Sequence, residues 1–159
     1  MIVTVWRHAE AGIAASDAFR PITPKGREAL QVSGSHFVQW LEKASIGSVT
    51  SLLYSPYLRT RESAEILRAL CHPAQALVEN RLAPGSDFDD IAQLVVTEER
   101  HLLLVSHHPL VSALVSFWCD DPTLAPLSPG GFATVALLCS ERGGAELMQY
   151  RPEAVWSAA

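Results

Sequence analysis

Basic residues are scarce: 12 Lys and Arg against 17 Asp and Glu leave a net charge of -5, and they form no stripe that could track a phosphate backbone. A nucleic-acid partner is excluded on that ground, and any positive site has to be local. Cysteine is nearly missing. Cys71, Cys119 and Cys139 are odd in number, widely spaced and set among apolar residues, so neither a disulfide framework nor a zinc knuckle is expected. All three read as buried small hydrophobes. Long apolar runs are also lacking, none approaching the roughly 18 residues of a membrane span. Arg7, His8 and Glu10 stand where a signal peptide would carry its apolar stretch. A cytoplasmic chain with no membrane partner is therefore expected. Internal repeats and low-complexity segments are absent as well.

What remains is a chain of 159 residues, 48% hydrophobic and 18% charged. Its length suits one domain, residues 1–159, and a chain this size hides roughly 70% of its unfolded surface without metal or disulfide staples.

Three short apolar runs read as fully buried strands: Ile2 to Trp6, Val49 to Tyr54, and Leu102 to Val105. Each is followed by a helical pattern. Thr23-Pro24 and Ser55-Pro56 both place a side-chain acceptor at N-cap and a proline at the first helical position, with His108-Pro109 a third such start. Leu30, Phe37 and Leu41 recur at helical spacing after Thr23, as do Ala64, Leu67 and Cys71 after Ser55, and Val111, Leu114 and Trp118 after Pro109. A further helix through Ile91 and Leu94 opens with Asp87, Asp89 and Asp90, charges that suit its positive first turn. Asp120 to Gly131 reads as an ordered loop, and Phe132 to Leu138 with Glu146 to Arg151 as a hairpin. The alternation predicts a three-layer α/β/α sandwich, its central sheet mostly parallel with an antiparallel C-terminal hairpin.

In open α/β sheets ligands bind beyond the carboxyl ends of the strands. There the polar residues gather: Arg7-His8 after the first run, Ser55 with Arg59 after the second, Ser106-His107-His108 after the third. One Arg-His pair is weak, since ten arginines and six histidines make about 0.4 such pairs by chance. The joint placement at three strand ends is far more specific. Two guanidiniums and two or three imidazoles in one crevice suit a compact dianion, because arginine forks match phosphoryl oxygens.

On these residues the chain resembles the histidine phosphatase superfamily, and most closely its short SixA-type phosphohistidine phosphatases. Arg7-His8 matches R-H-G, Arg20-Pro21-Ile22-Thr23-Pro24-Lys25-Gly26 is similar to R-P-L-T-x-x-G, Ser55-Pro56-Tyr57-Leu58-Arg59-Thr60 to S-P-x-x-R-[AT], and Val105-Ser106-His107 to V-[SG]-H. The resemblance implies His8 as nucleophile, Arg7, Arg59 and His107 on the transferring phosphoryl group, and no metal or cofactor. Arg20 and His108 are candidates for substrate binding. A departure stands next to the nucleophile, where the family glycine is Ala9, a cost if that backbone needed positive φ.

No general acid is evident. Glu79, Asp87, Asp89 and Asp90 are candidate carboxylates in the short segment where larger relatives carry one. A phosphoramidate nitrogen can take its proton from solvent, so the expected substrate is phosphohistidine on a protein, a histidine-phosphotransfer protein being one candidate. Two other readings stay open: a phosphatase or mutase for small phosphate esters, and a catalytically silent phosphate-binding module.

Overall fold

The apolar run at the start of the chain forms β1 (Ile2–Arg7), whose Val3, Val5 and Trp6 are fully buried. The computed structural model describes residues 1–95 and 100–154. After β1 come α1 (Pro24–Lys43), β2 (Ser51–Tyr54), α2 (Leu58–Cys71), β3 (Gln75–Val78), α3 (Phe88–Leu94), β4 (His101–Ser106), α4 (Leu110–Cys119), β5 (Phe132–Leu137) and β6 (Ala145–Arg151). The strands make a single sheet in the order β3-β2-β4-β1-β5-β6, parallel from β3 to β1 and antiparallel through β5 and β6.

The central strands are buried on both faces, which is why they read as runs rather than alternations. On β4, Leu102 and Leu104 join Val3, Val5, Leu114 and Trp118 in one core, while Leu103 and Val105 join Trp6, Leu30, Phe37 and Leu67 in another. Helices α3 and α4 thus cover one face, and α1 and α2 the other. The three-layer α/β/α sandwich expected from the sequence is the one observed. Thr4, in the middle of β1, meets His101 Nε2 and Thr134 Oγ1, each at 2.9 Å, and His101 Nδ1 is 2.9 Å from the carbonyl of Gly47. His101 is thereby a satisfied core residue.

Four features depart from expectation. Ser55 does not cap α2, which begins two residues later with Tyr57 at N-cap. Pro109 is itself the N-cap of α4. Strand β3 escaped notice because three of its four residues are exposed, so it lacks an apolar run. Cys139 is exposed beyond the end of β5, and Cys71 and Cys119 are half-buried, so the cysteines are free but not all buried.

Thr23 does cap α1: its hydroxyl oxygen accepts from Gly26 N at 2.9 Å, with Pro24 in the first turn. The same residue fastens α1 to the chain after His8. Thr23 N donates to Glu10 O at 2.8 Å, Gly12 N donates to Pro21 O at 2.7 Å, and Ala11 bridges Ile22. A Cβ on Gly26 would stand 2.7 Å from Glu10 O and 2.9 Å from Glu10 N, so this close approach requires glycine. The R-P-I-T-P-K-G segment is thus a clasp that carries Arg20 back toward the end of β1.

Candidate active site

Strand register builds the site. Arg7 pairs with Ser106 at the carboxyl ends of β1 and β4, and Tyr54 at the end of β2 pairs with Val105. Beyond those pairs, His8 N donates to Ser106 O at 3.1 Å and Ser55 N to Val105 O at 3.2 Å. His8, His107 and Ser55 therefore emerge side by side. The rings of His8 and His107 lie 5.3 Å apart between centroids.

His8 is buried and closely held. Its Nδ1 lies 2.7 Å from the carbonyl of Ala9. A carbonyl can only accept, so Nδ1 carries the proton and Nε2 is left with its lone pair. The partner of Nε2 is Arg59, whose Nε donates to it at 3.3 Å. Burial first, then the charges of Arg59, Arg7 and Arg20, pull the imidazole down to about 4, against an opposing pull from the Ala9 carbonyl. The ring is neutral at physiological pH.

Arg59, in the first turn of α2, is buried and spends its other donors on Asp17: Nη1 reaches the Asp17 carbonyl at 2.7 Å and Nη2 the carboxylate at 3.2 Å. Asp17 belongs to a 3-10 turn, Asp17–Phe19, and its carboxylate also receives Arg20 Nη1 at 3.2 Å. Hydrogen bonding from Arg20 and the nearby Arg59 charge hold that carboxyl below its ordinary value. Arg20 further donates from Nε to Gly12 O at 2.8 Å. Arg7 donates from Nη1 to Leu127 O at 2.9 Å, while burial and the facing Arg59 lower its pKa.

His107 is buried with Nε2 2.7 Å from Ser55 Oγ. Burial, followed by His8 and Arg59, lowers it to about 3, so it too is neutral. Among the described residues three buried side-chain polar atoms lack a hydrogen-bond partner, and two of them, Arg7 Nε and His107 Nδ1, belong to this cluster. Buried polar groups are normally paired, so two orphans in the cluster around His8 mark a place for a polar ligand.

The predicted residues are thus brought together: His8, Arg7, Arg59 and His107, with Arg20 joined through Asp17. His108 is exposed at the rim. Ala9 meets no backbone obstacle, since the positive-φ residues other than glycine among those described are Ser45, His72 and Asp120. Ala9 N donates to Ser63 Oγ at 2.9 Å, and Ser63 Oγ in turn donates to Arg59 O at 2.7 Å, tying the turn after His8 to α2. Sequence reasoning missed Asp17 and Ser63. Ser63 lies four residues after Arg59 and so on the same face of α2, a signal that was available; Asp17 sits in an aperiodic loop. Glu79 is bound by Arg81 through two side-chain bonds at 2.9 Å, which lower its pKa, so it holds no proton to give.

A parallel-centred α/β/α sheet protein with two imidazoles and two guanidiniums converging at its carboxyl edge defines the class, and the comparisons narrow it. No protein-family model matches the chain. It is 30% identical over 143 residues to the phosphohistidine phosphatase SixA of Escherichia coli K12, covering 86% of each chain. It is similar to the solved structure of the protein histidine phosphatase SixA complexed with tungstate, with a TM-score of 0.81 and 28% identity, covering 96% of this chain and 97% of that one. The structure of a putative SixA from Nakamurella multipartitia superposes with a TM-score of 0.73 at 25% identity over 94% of both chains. The chain belongs to the SixA family of phosphohistidine phosphatases. A mycobacterial glucosyl-3-phosphoglycerate phosphatase, 14% identical with a TM-score of 0.67, shares the fold.

Proposed function

We propose that this chain hydrolyses phosphohistidine carried on another protein, by passing the phosphoryl group through Nε2 of His8. The observation that carries the reading is the Nδ1–H bond of His8 to Ala9 O, which leaves the lone pair on Nε2, where only the Nε–H of Arg59 meets it, in a cluster that also holds two unpartnered buried nitrogens. In the first step that lone pair attacks phosphorus, the bond from phosphorus to the substrate nitrogen breaks, and its electrons return to the substrate imidazole, which takes a proton from solvent. Arg7, Arg59 and His107 stabilise the charge on the equatorial oxygens. Water then attacks phosphorus, the Nε2–P bond breaks, and phosphate leaves with the proton passed to solvent.

A nitrogen leaving group fits a site whose carboxylates are ionised and paired, as Glu79 and Asp17 are. A protein substrate fits the lip: Ile13 and Phe19, on the segment that carries Asp17, are 97% and 69% exposed and offer apolar contact that a small ester would not use. A histidine-phosphotransfer protein is the partner that meets this description.

The test is labelling with phosphoramidate in the presence of a chelator, followed by turnover of a phosphohistidine protein and of a phosphate-ester panel. An acid-labile, base-stable phosphoryl group on wild-type chain, absent from His8→Ala, is expected. Equal label in both proteins overturns the assignment of His8. Faster turnover of esters favours the small-molecule phosphatase reading, and tight phosphopeptide binding without turnover the silent module.

A further inference from the structure

Ser55 does not cap α2 but is bonded into the site. Fully buried at the end of β2, its Oγ accepts the backbone N–H of Tyr57 at 3.2 Å and lies 2.7 Å from Nε2 of His107. A hydroxyl has one proton to give. We propose that Ser55 gives it to Nε2 of His107, fixing that ring as the Nδ1–H tautomer and making it a neutral hydrogen-bond donor to the phosphoryl oxygens. This assignment rests on the phosphatase reading above for its ligand, and on geometry for its tautomer.

The opposite polarity fails on two counts. If Nε2–H donated to Ser55, the hydroxyl proton would be buried with no acceptor in the bonds that surround it, a group costly to leave unpaired. Nδ1 would also present a lone pair at a place where Arg7 Nε and Arg59 draw in an anion, and a lone pair repels phosphoryl oxygen. With Ser55 as donor, one unpartnered group remains, the Nδ1–H of His107, beside the equally unpartnered Nε–H of Arg7. Both are donors, which is what a phosphoryl group needs.

The two imidazoles then hold the same tautomer but present opposite ends. Nδ1–H of His8 is spent on the Ala9 carbonyl and Nε2 faces the chemistry as a lone pair; Nε2 of His107 is spent on Ser55 and Nδ1–H is the free end. One ring attacks and the other binds, and the hydrogen bond at the far nitrogen decides which. Ser55 is on this account a positioning residue, acting through His107 rather than on the substrate.

Long-range ¹H–¹⁵N spectra of the full ¹⁵N-labelled chain read histidine tautomers directly, before and after inorganic phosphate is added. In wild type, His107 is expected as the Nδ1–H form, with its Nδ1 resonance moving as phosphate binds. Ser55→Ala should give a mixed or reversed tautomer, a weaker phosphate response, and kcat lower on the order of 10- to 100-fold with KM changed much less. Ser55→Thr, which keeps the hydroxyl, should restore the tautomer and most of the rate. An Nε2–H form of His107 in wild type, or a Ser55→Ala protein with tautomer and kcat unchanged, overturns the proposal. The tautomer is read without turnover, so an Nδ1–H form in a chain that His8 labelling proves inactive would support the role of Ser55 while removing the reaction.

Discussion

Arg59 donates from Nε to Nε2 of His8 at 3.3 Å, so a buried guanidinium is bonded to the very lone pair that the proposed reaction uses. That contact orients the ring and adds to the burial that keeps it unprotonated, and in the proposed reaction it is exchanged for a phosphoryl oxygen. A lysine cannot reproduce it, because an ammonium lacks the planar fork that reaches His8 and a phosphoryl group together. Arg59→Lys is expected to lower kcat on the order of 10² to 10³-fold. Steady-state rates and the yield of labelled His8 check this; a rate within a few-fold of wild type would mean that point charge alone suffices.

Asp17 is placed to compete with an anion for Arg59. Its carbonyl and carboxylate together occupy both terminal nitrogens of Arg59, and its carboxylate also holds Arg20. The side chain is 58% exposed, so the pairing is weak enough to yield to a dianion. Asp17→Ala should bind inorganic phosphate several-fold more tightly at low ionic strength, with a smaller gain at high salt as screening shortens the reach of the removed charge. Calorimetric titration measures both; weaker binding would show that Asp17 organises the arginines instead of competing for them.

Acid should loosen the fold through His8. In the folded chain its pKa lies near 4, against an ordinary 6.5. Between those values the unfolded chain takes up a proton that the folded one refuses, so stability is complete above about pH 6.5 and declines as pH falls toward 4. The shift corresponds to at most about 3–4 kcal/mol. Urea unfolding at pH 7.5, 6 and 5 (roughly, the span over which a free imidazole titrates) should show the decline in wild type and a shallower one in His8→Ala. Parallel curves would refute the linkage.

Gly26 carries a structural prediction with a functional echo. A methyl group there would press on the backbone of Glu10, two residues from His8, and backbone cannot swing aside as a side-chain end can. Gly26→Ala should cost about 1–3 kcal/mol of stability, seen as a lowered thermal midpoint, and should also reduce the yield of labelled His8. Unchanged melting would mean that α1 shifts without penalty.

Much of this was legible because the central strands are buried on both faces: Ile2 to Trp6 and Leu102 to Val105 announce themselves as runs, and whatever polar residue ends such a run lies at the sheet's edge. Hence Arg7, His8 and His107 could be placed together from spacing, and Arg59 from the helix start after β2. What escaped was decided by contacts between distant segments. The hydroxyl of Ser55 reads as a helix cap alone, yet it also meets an imidazole 52 positions away, and α2 starts later with Tyr57 at its N-cap. Asp17 carries no periodicity to betray it, and its importance comes from Arg59, 42 positions on. The exposed Cys139 misled because apolar neighbours such as Leu137 are buried while Leu138, beside it, is 92% exposed.

The two neighbours of β1 in the sheet, β4 and β5, are both encoded after residue 100. Strand β1 is thus left without a ladder partner until both of those later segments are in place. His8, directly after β1, gains the Ser106 anchor on its backbone at the same step. A fragment that stops short of β4 therefore lacks both the centre of the sheet and the bond that seats His8.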